Sequence, residues 1–173
     1  STSRRQRQMC IRDRDNRYEM RMYCIVMYNI STMQKGVQSA HCCLEYANKY
    51  KNDEDLIKYI EEDKTMIILD GGTSADLIEL DNFLTENEIK HAAFVEPDLN
   101  YAISCVCFLA DERVWNKKDY PDMESFSSKF LAENFFMFTK ETLGNLDKEF
   151  LDMIGGEKNK ILREIIQYKR LAS

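Results

Sequence analysis

Residues 22–28, MYCIVMY, are apolar at every position, and the polar hinge Asn29, Ser31 and Thr32 follows them directly. A strand without a polar face belongs in the middle of an α/β sheet, covered on both sides. Helical spacing then runs through residues 33–46, MQKGVQSAHCCLEY. Ser31 followed by Gln34 has the spacing of a capping box, which predicts a helix beginning at Thr32. On a helical wheel Val37, Ala40, Leu44 and Ala47 make the expected buried stripe. Gln34, Gln38, His41 and Glu45 fall within roughly 60° of one another on a different face, as at the rim of a cleft.

The same alternation recurs downstream. Residues 52–62 read as a short acidic helix, with Leu56, Ile57 and Ile60 at helical spacing and Asp53 as its cap. Residues 64–70, KTMIILD, read as a second strand closed by Gly71-Gly72. Thr73 or Ser74 then caps a helix reaching about Asn87, with Leu77, Leu80, Phe83 and Leu84 inward. Strand, helix, strand, helix implies right-handed crossovers and a sheet that is parallel at least in part. Residues 90–95 and 101–110 are expected to be the third and fourth strands. Glu96-Pro97-Asp98-Leu99-Asn100 joins them, a turn short enough for an antiparallel return and therefore a mixed sheet.

After Val114-Trp115 the composition changes. Tyr120-Pro121-Asp122 breaks the chain, and helices are expected at 123–138, 146–154 and 157–170, with Gly155-Gly156 between the last two. The final helix presents Ile161, Leu162, Ile165 and Ile166. Some 60 residues cannot build a large core alone, so they pack on the sheet or form a dimer surface. The expected architecture is α/β, a two- or three-layer sandwich on a four-stranded mixed sheet. Residues 20–115 make the α/β domain, and residues 116–173 a helical C-terminal extension.

Residues 4–14, RRQRQMCIRDR, resemble the in-frame translation of a transposase adapter used in sequencing libraries. Residues 1–19 are accordingly expected to be a non-native tail, with Met20 or Met22 as the start. The chain carries 24 Lys and Arg against 30 Asp and Glu, a net of -6. Taking away the tail's six Arg and three acids leaves 18 against 27, or -9, over residues 20–173. That acidity argues against a general nucleic-acid binder, whose affinity comes from cations displacing counterions. No apolar run approaches the ~20 residues of a membrane span.

The six cysteines read as reduced thiols of a cytosolic protein. Cys105 and Cys107 alternate within the fourth strand and are expected on opposite sheet faces. With two histidines and no Cys-x-x-Cys, neither a metal site nor a cofactor is expected. Gly71-Gly72-Thr73-Ser74 lacks the lysine of a P-loop, and no Gly-x-Ser-x-Gly elbow occurs. Nothing in the sequence accounts for a depressed pKa at Cys42 or Cys43.

Chemistry concentrates in the first helix. Imidazole as a group titrates near neutrality, and His41 stands one turn from Gln38, which suits a base or water-orienting role with Gln38 as hydrogen-bond partner. The same spacing also suits a polar helix face with a partly buried histidine. Glu96, Asp98 and Asn100 lie after a strand, where function in α/β folds gathers, and they also suit plain turn chemistry. Lys35 reads either as a phosphate or oxyanion contact or as a solvated lysine.

These features together resemble the type II peptidyl-tRNA hydrolases of archaea and eukaryotes, with their shorter phage and bacterial relatives. In that family a strand and hinge precede a helix carrying Gly-Lys-x-x-x-Gln-x-x-His-Ala, and Gln38-Ser39-Ala40-His41-Cys42 keeps the Gln-x-x-His spacing. The phage-type relatives are similar in Gly36-Val37-Gln38, in Leu69-Asp70-Gly71-Gly72-Thr73, in Glu96-Pro97-Asp98-Leu99-Asn100, and in Leu162-Arg163-Glu164 with Arg170-Leu171-Ala172. The resemblance covers residues 22–115, and the extension resembles the phage-type relatives alone. The chain departs from the pattern where Gln34 stands for the family lysine and Asn100 near the family threonine, while Glu96 keeps the acidic position.

The resemblance implies hydrolysis of the ester between a peptidyl or aminoacyl group and the tRNA 3′ ribose, without a metal. His41, oriented by Glu96 or Asp98, would activate water. Lys35 and the helix N-terminus would favour the negative oxygen or a nearby phosphate, and Gln38 would complete the catalytic set. Gln34, Asp98, Asn100 and Ser104 would contact substrate. The implied partner is peptidyl-tRNA or tRNA, and the implied location the cytoplasm, the host's if the chain is phage-encoded. The alternative is a non-catalytic RNA- or protein-binding factor on the same fold that uses the extension as its contact surface.

Overall fold

The computed structural model describes residues 18–133 and 140–172. Its elements, in order, are β1 (Met20–Val26), α1 (Thr32–Lys49), α2 (Glu54–Lys58), β2 (Thr65–Asp70), α3 (Ser74–Glu86), β3 (Ala92–Glu96), β4 (Ala102–Asp111), α4 (Glu112–Trp115), α5 (Met123–Glu133), α6 (Lys140–Ile154) and α7 (Glu157–Gln167). The strands lie in the order β2-β1-β4-β3. β1 runs parallel to β2, whereas β4 is antiparallel to both β1 and β3, so the sheet is mixed.

Strict alternation along the central strands separates two cores. Tyr23, Ile25, Val106, Phe108 and Ala110 face Leu77 and Leu84 of α3 and Leu162 of α7. Met20, Met22, Cys24, Val26, Cys105, Cys107 and Leu109 face Cys42 and Tyr46 of α1 and Leu56 of α2. Helices cover both faces, and the fold is a three-layer sandwich. Tyr23 and Phe108 are register partners and stack at 5.9 Å between ring centroids. Cys105 and Cys107 share one face, contrary to expectation. Residues two apart in a strand project the same way.

Local signals set the helix starts. Ser31 and Gln34 close the expected capping box, with the Gln34 amide donating to Ser31 Oγ at 3.3 Å and the Ser31 amide donating to Gln34 Oε1 at 3.0 Å. Thr73 and Asp76 do the same for α3. Asp53 caps α2 by accepting from the amides of Asp55 and Leu56. At Gly71 a Cβ would meet the Val26 carbonyl oxygen at 2.9 Å and Ile25 at 2.8 Å, so only glycine lets the chain leave β2 this close to β1.

Periodicity misplaced three apolar faces. The buried face of α1 is Lys35, Gln38, Ser39, Cys42 and Tyr46. The expected stripe lies on nearly the opposite side of the helix, with Ala40 exposed, Ala47 half-buried, Val37 46% exposed and Leu44 68% exposed. Hydrogen bonding by Gln38, packing of the Cys42 thiol and burial of the Tyr46 ring orient this helix. Leu56 is buried while its neighbour Ile57 in α2 is exposed; after α2 the backbone enters a π-helical turn, Tyr59–Asp63, whose wider step breaks the helical phase, and Ile60 within it is exposed as well. Phe83 lies at the edge of the α3 stripe and is exposed, with Leu77 and Leu84 fully buried.

The C-terminal segment is built onto the sheet. Leu162 of α7 is buried in the α3-side core, with Ile161, Ile165 and Ile166 packed against it. Beyond α7 the Asp70 amide donates to the Arg170 carbonyl at 2.8 Å and the Ala172 amide to the Ile68 carbonyl at 3.1 Å, which covers the outer edge of β2. Buried Arg163 donates to the carbonyls of Arg113, Tyr120 and Pro121, locking α7 to α4 and the segment after it. The helix expected at 146–154 begins earlier, at Lys140; the continuation of α5 to residue 138 lies outside the described residues. So does the expected non-native tail, except Tyr18 and Glu19. The Tyr18 ring packs edge-on against Tyr120 and beneath the Arg113 guanidinium. No helix among the described residues is long and apolar enough to cross a membrane.

Candidate active site at the carboxyl ends of the parallel strands

Because β1 and β3 are both antiparallel to β4, they run the same way, and with β2 they end at one edge of the sheet. The chain leaves β1 for α1 on one face and β2 for α3 on the other. That divergence makes a topological switch point, where open α/β sheets bind ligands. The N-caps Ser31 and Thr73, the turn after β3 and most of the sequence-derived candidates lie at this edge.

Ser104, Gln38 and Glu96 form a connected row here. The β3–β4 ladder pairs Phe94 with Cys105 and Val95 with Ile103, leaving Ser104 as an extra residue in a β-bulge. Regular alternation would place Ser104 on the α3 side, with Val106 and Phe108. The bulge re-aims it, and its hydroxyl donates to Gln38 Oε1 on α1 at 2.7 Å. With that oxygen occupied, the Gln38 amide group faces β3 and donates to Glu96 Oε2 at 2.6 Å. The other Glu96 oxygen accepts the Asp98 amide at 3.3 Å, capping the 3₁₀ turn Pro97–Leu99. Ser104 and Gln38 are buried and Glu96 half-buried, so a fixed carboxylate stands at the margin of solvent.

The remaining candidates sit around this row. His41 is exposed one turn beyond Gln38, its ring edge-on to Phe94 at 4.7 Å between centroids. The hydrogen bonds to the Glu96 carboxylate come from Gln38 and Asp98, not from His41. Lys35 is buried, not the solvated lysine of the simpler alternative. The side-chain oxygen of Gln34 is taken up by Ser31 in the α1 cap. Asp98 and Asn100 are exposed in the turn, and Asn100 has a left-handed backbone, φ 53°, that suits asparagine.

The resemblance implies Ser104 as a substrate contact, whereas the structure bonds it to Gln38, and Phe94 as the ring partner of His41 is not foreseen in the sequence. A lone serine in the otherwise apolar run 102–110 is a signal that could mark Ser104. A groove of about 520 Å³ along α3 is lined by Asp76, Glu79, Leu80, Asn82, Phe83 and Glu86 and includes none of the candidate residues. Among the described residues no cluster of three or more His, Cys, Asp or Glu is arranged to hold a metal ion. Compared with known proteins, the chain matches no family model and no curated protein.

Proposed function

We propose that this chain is a peptidyl-tRNA hydrolase-like esterase that cleaves the ester joining a peptidyl or aminoacyl group to the tRNA 3′ ribose. The observation that carries this reading is the 2.6 Å bond from Gln38 to Glu96, which joins the Gln-x-x-His helix to the acidic position after β3. Ester hydrolysis needs an oriented water, a base and a counter-charge for the oxyanion. Glu96, fixed by Gln38 and through it by Ser104, orients the water, and His41 at the exposed rim accepts its proton. Lys35 and the N-terminal amides of α1 supply positive potential for the oxyanion or a terminal phosphate. Ser104 acts through Gln38 as a positioning residue, Asp98 and Asn100 border the substrate, and Gln34 keeps the helix start in place. The work would be done in the cytoplasm, the host's if the chain is phage-encoded, as a monomer or a homodimer.

The test is hydrolysis of purified peptidyl-tRNA by the full chain. His41→Ala and Glu96→Ala are each expected to lower the rate by about 100-fold or more. If both cleave as fast as the unchanged protein, the assignment is wrong.

A second reading, a non-catalytic RNA- or protein-binding factor, is favoured by the solvent-facing apolar stripe of Met33, Val37 and Leu44 on α1, beside the site. The net charge of -6 also favours protein over RNA as its partner. Binding without turnover, whether to tRNA or to a protein through α1 or the C-terminal extension, would decide for it.

A further inference from the structure

Five of the chain's six cysteines, Cys24, Cys42, Cys43, Cys105 and Cys107, lie in the one layer between α1 and the β1–β4 pair. We propose that Cys43 and Cys24 are a thiol oxidation site, at which a hydroperoxide closes a disulfide that ties the middle of α1 to β1. The hydrogen-bond pattern selects this pair. Cys42 Sγ points at the carbonyls of Ala92 and Cys105, at 3.3 and 3.4 Å, and Cys107 Sγ donates to the Cys42 carbonyl at 3.3 Å. The Cys24 sulfur instead lies 3.5 Å from the Cys43 sulfur. A rotamer adjustment has to close about 1.5 Å to reach the ~2.05 Å of a disulfide.

Exposure orders the steps. Cys43 is half-buried and Cys24 fully buried, so an oxidant from solvent meets Cys43 first. The Cys43 sulfur attacks the terminal peroxide oxygen. The O–O bond breaks, an alcohol or water leaves, and Cys43 becomes a sulfenic acid, two electrons having passed from sulfur to oxygen. The Cys24 sulfur then attacks the Cys43 sulfur; the S–S bond forms as the S–O bond breaks, and the departing hydroxide takes the Cys24 proton as water. Two thiols and one hydroperoxide thus give one disulfide, one alcohol and one water.

The test uses the full chain, reduced, exposed to hydrogen peroxide, alkylated with N-ethylmaleimide and mapped by peptide mass spectrometry. The expected result is the loss of two alkylation sites and two hydrogens, with a Cys24–Cys43 linked peptide that a reductant releases. Cys43→Ser is expected to abolish the link, Cys24→Ser to leave a sulfenic acid at Cys43 that dimedone traps, and Cys105→Ser to leave the link intact. Far-UV circular dichroism confirms that each variant is folded before its result is counted. The proposal is overturned if peroxide leaves both cysteines open to alkylation, or if the link joins Cys43 to Cys107. No step of this test depends on esterase activity.

Discussion

Gln38 and Glu96, 58 residues apart in sequence, meet through a 2.6 Å hydrogen bond from the Gln38 amide to one carboxylate oxygen. The acceptor is charged and the donor is buried, which makes this a strong link between α1 and the end of β3. In a double-mutant cycle of Gln38→Ala and Glu96→Ala, followed by urea denaturation, the coupling energy is expected at about 1.5 kcal/mol. Strictly additive effects would mean that the two side chains do not act as a pair.

Ser104→Ala removes the hydroxyl that satisfies Gln38 Oε1 and leaves that oxygen buried without its donor. A loss of about 1–3 kcal/mol in unfolding free energy is expected. If the proposed reaction holds, kcat falls as well, because the Gln38 amide is then free to rotate away from Glu96. Stability by denaturant titration and single-turnover kinetics separate the two effects.

Arg163 is a buried cation whose hydrogen bonds go to three main-chain carbonyls. Burial lowers its pKa, yet a guanidinium stays protonated at any ordinary pH. Arg163→Met should cost about 3 kcal/mol or more, since three carbonyls lose their donor together. Arg163→Lys should recover little, because a single ammonium cannot reproduce the planar fork. Thermal denaturation of the two variants measures both.

Asp53 caps α2 and pairs with the exposed Lys90, two residues before β3. Burial works to raise the Asp53 pKa, but the Lys90 ammonium and the Leu56 and Asp55 amides outweigh it, and the net shift is downward. A carboxyl with a depressed folded-state pKa stabilises the fold above its unfolded value, near 3.9, and that stability is lost as pH falls through the folded value. Asp53→Asn keeps a capping oxygen without the charge. The variant should therefore be less stable than the unchanged chain above about pH 4 and converge with it on acidification, as followed by urea midpoints across the acid range.

Much of this fold was legible because its signals are local. Capping residues at Ser31, Asp53 and Thr73, glycines at 71 and 155–156, and unbroken apolar strands fixed element order and the antiparallel return at Glu96–Asn100. What misled was the assumption that apolar area decides which side of a helix is inside. On α1 the inward residues include Gln38, which bonds to Glu96 and Ser104, and Cys42, whose sulfur points at the Ala92 and Cys105 carbonyls, and a wheel cannot see partners 50 or more residues away. The π-helical turn after α2 defeated a fixed angular step in the same way. The grouping of Gln38, Glu96 and Ser104 depended on the bulge at Phe94/Val95, which a single sequence does not mark.

That bulge gives the scaffold an unusual economy. Ser104 thus belongs to two ladders at once: its carbonyl accepts the Met27 amide at 2.9 Å in regular register with β1, while toward β3 it is the extra residue whose hydroxyl turns to Gln38. One side of β4 keeps the sheet continuous and the other side, at the same residue, gives that continuity up to aim a hydroxyl at the candidate site.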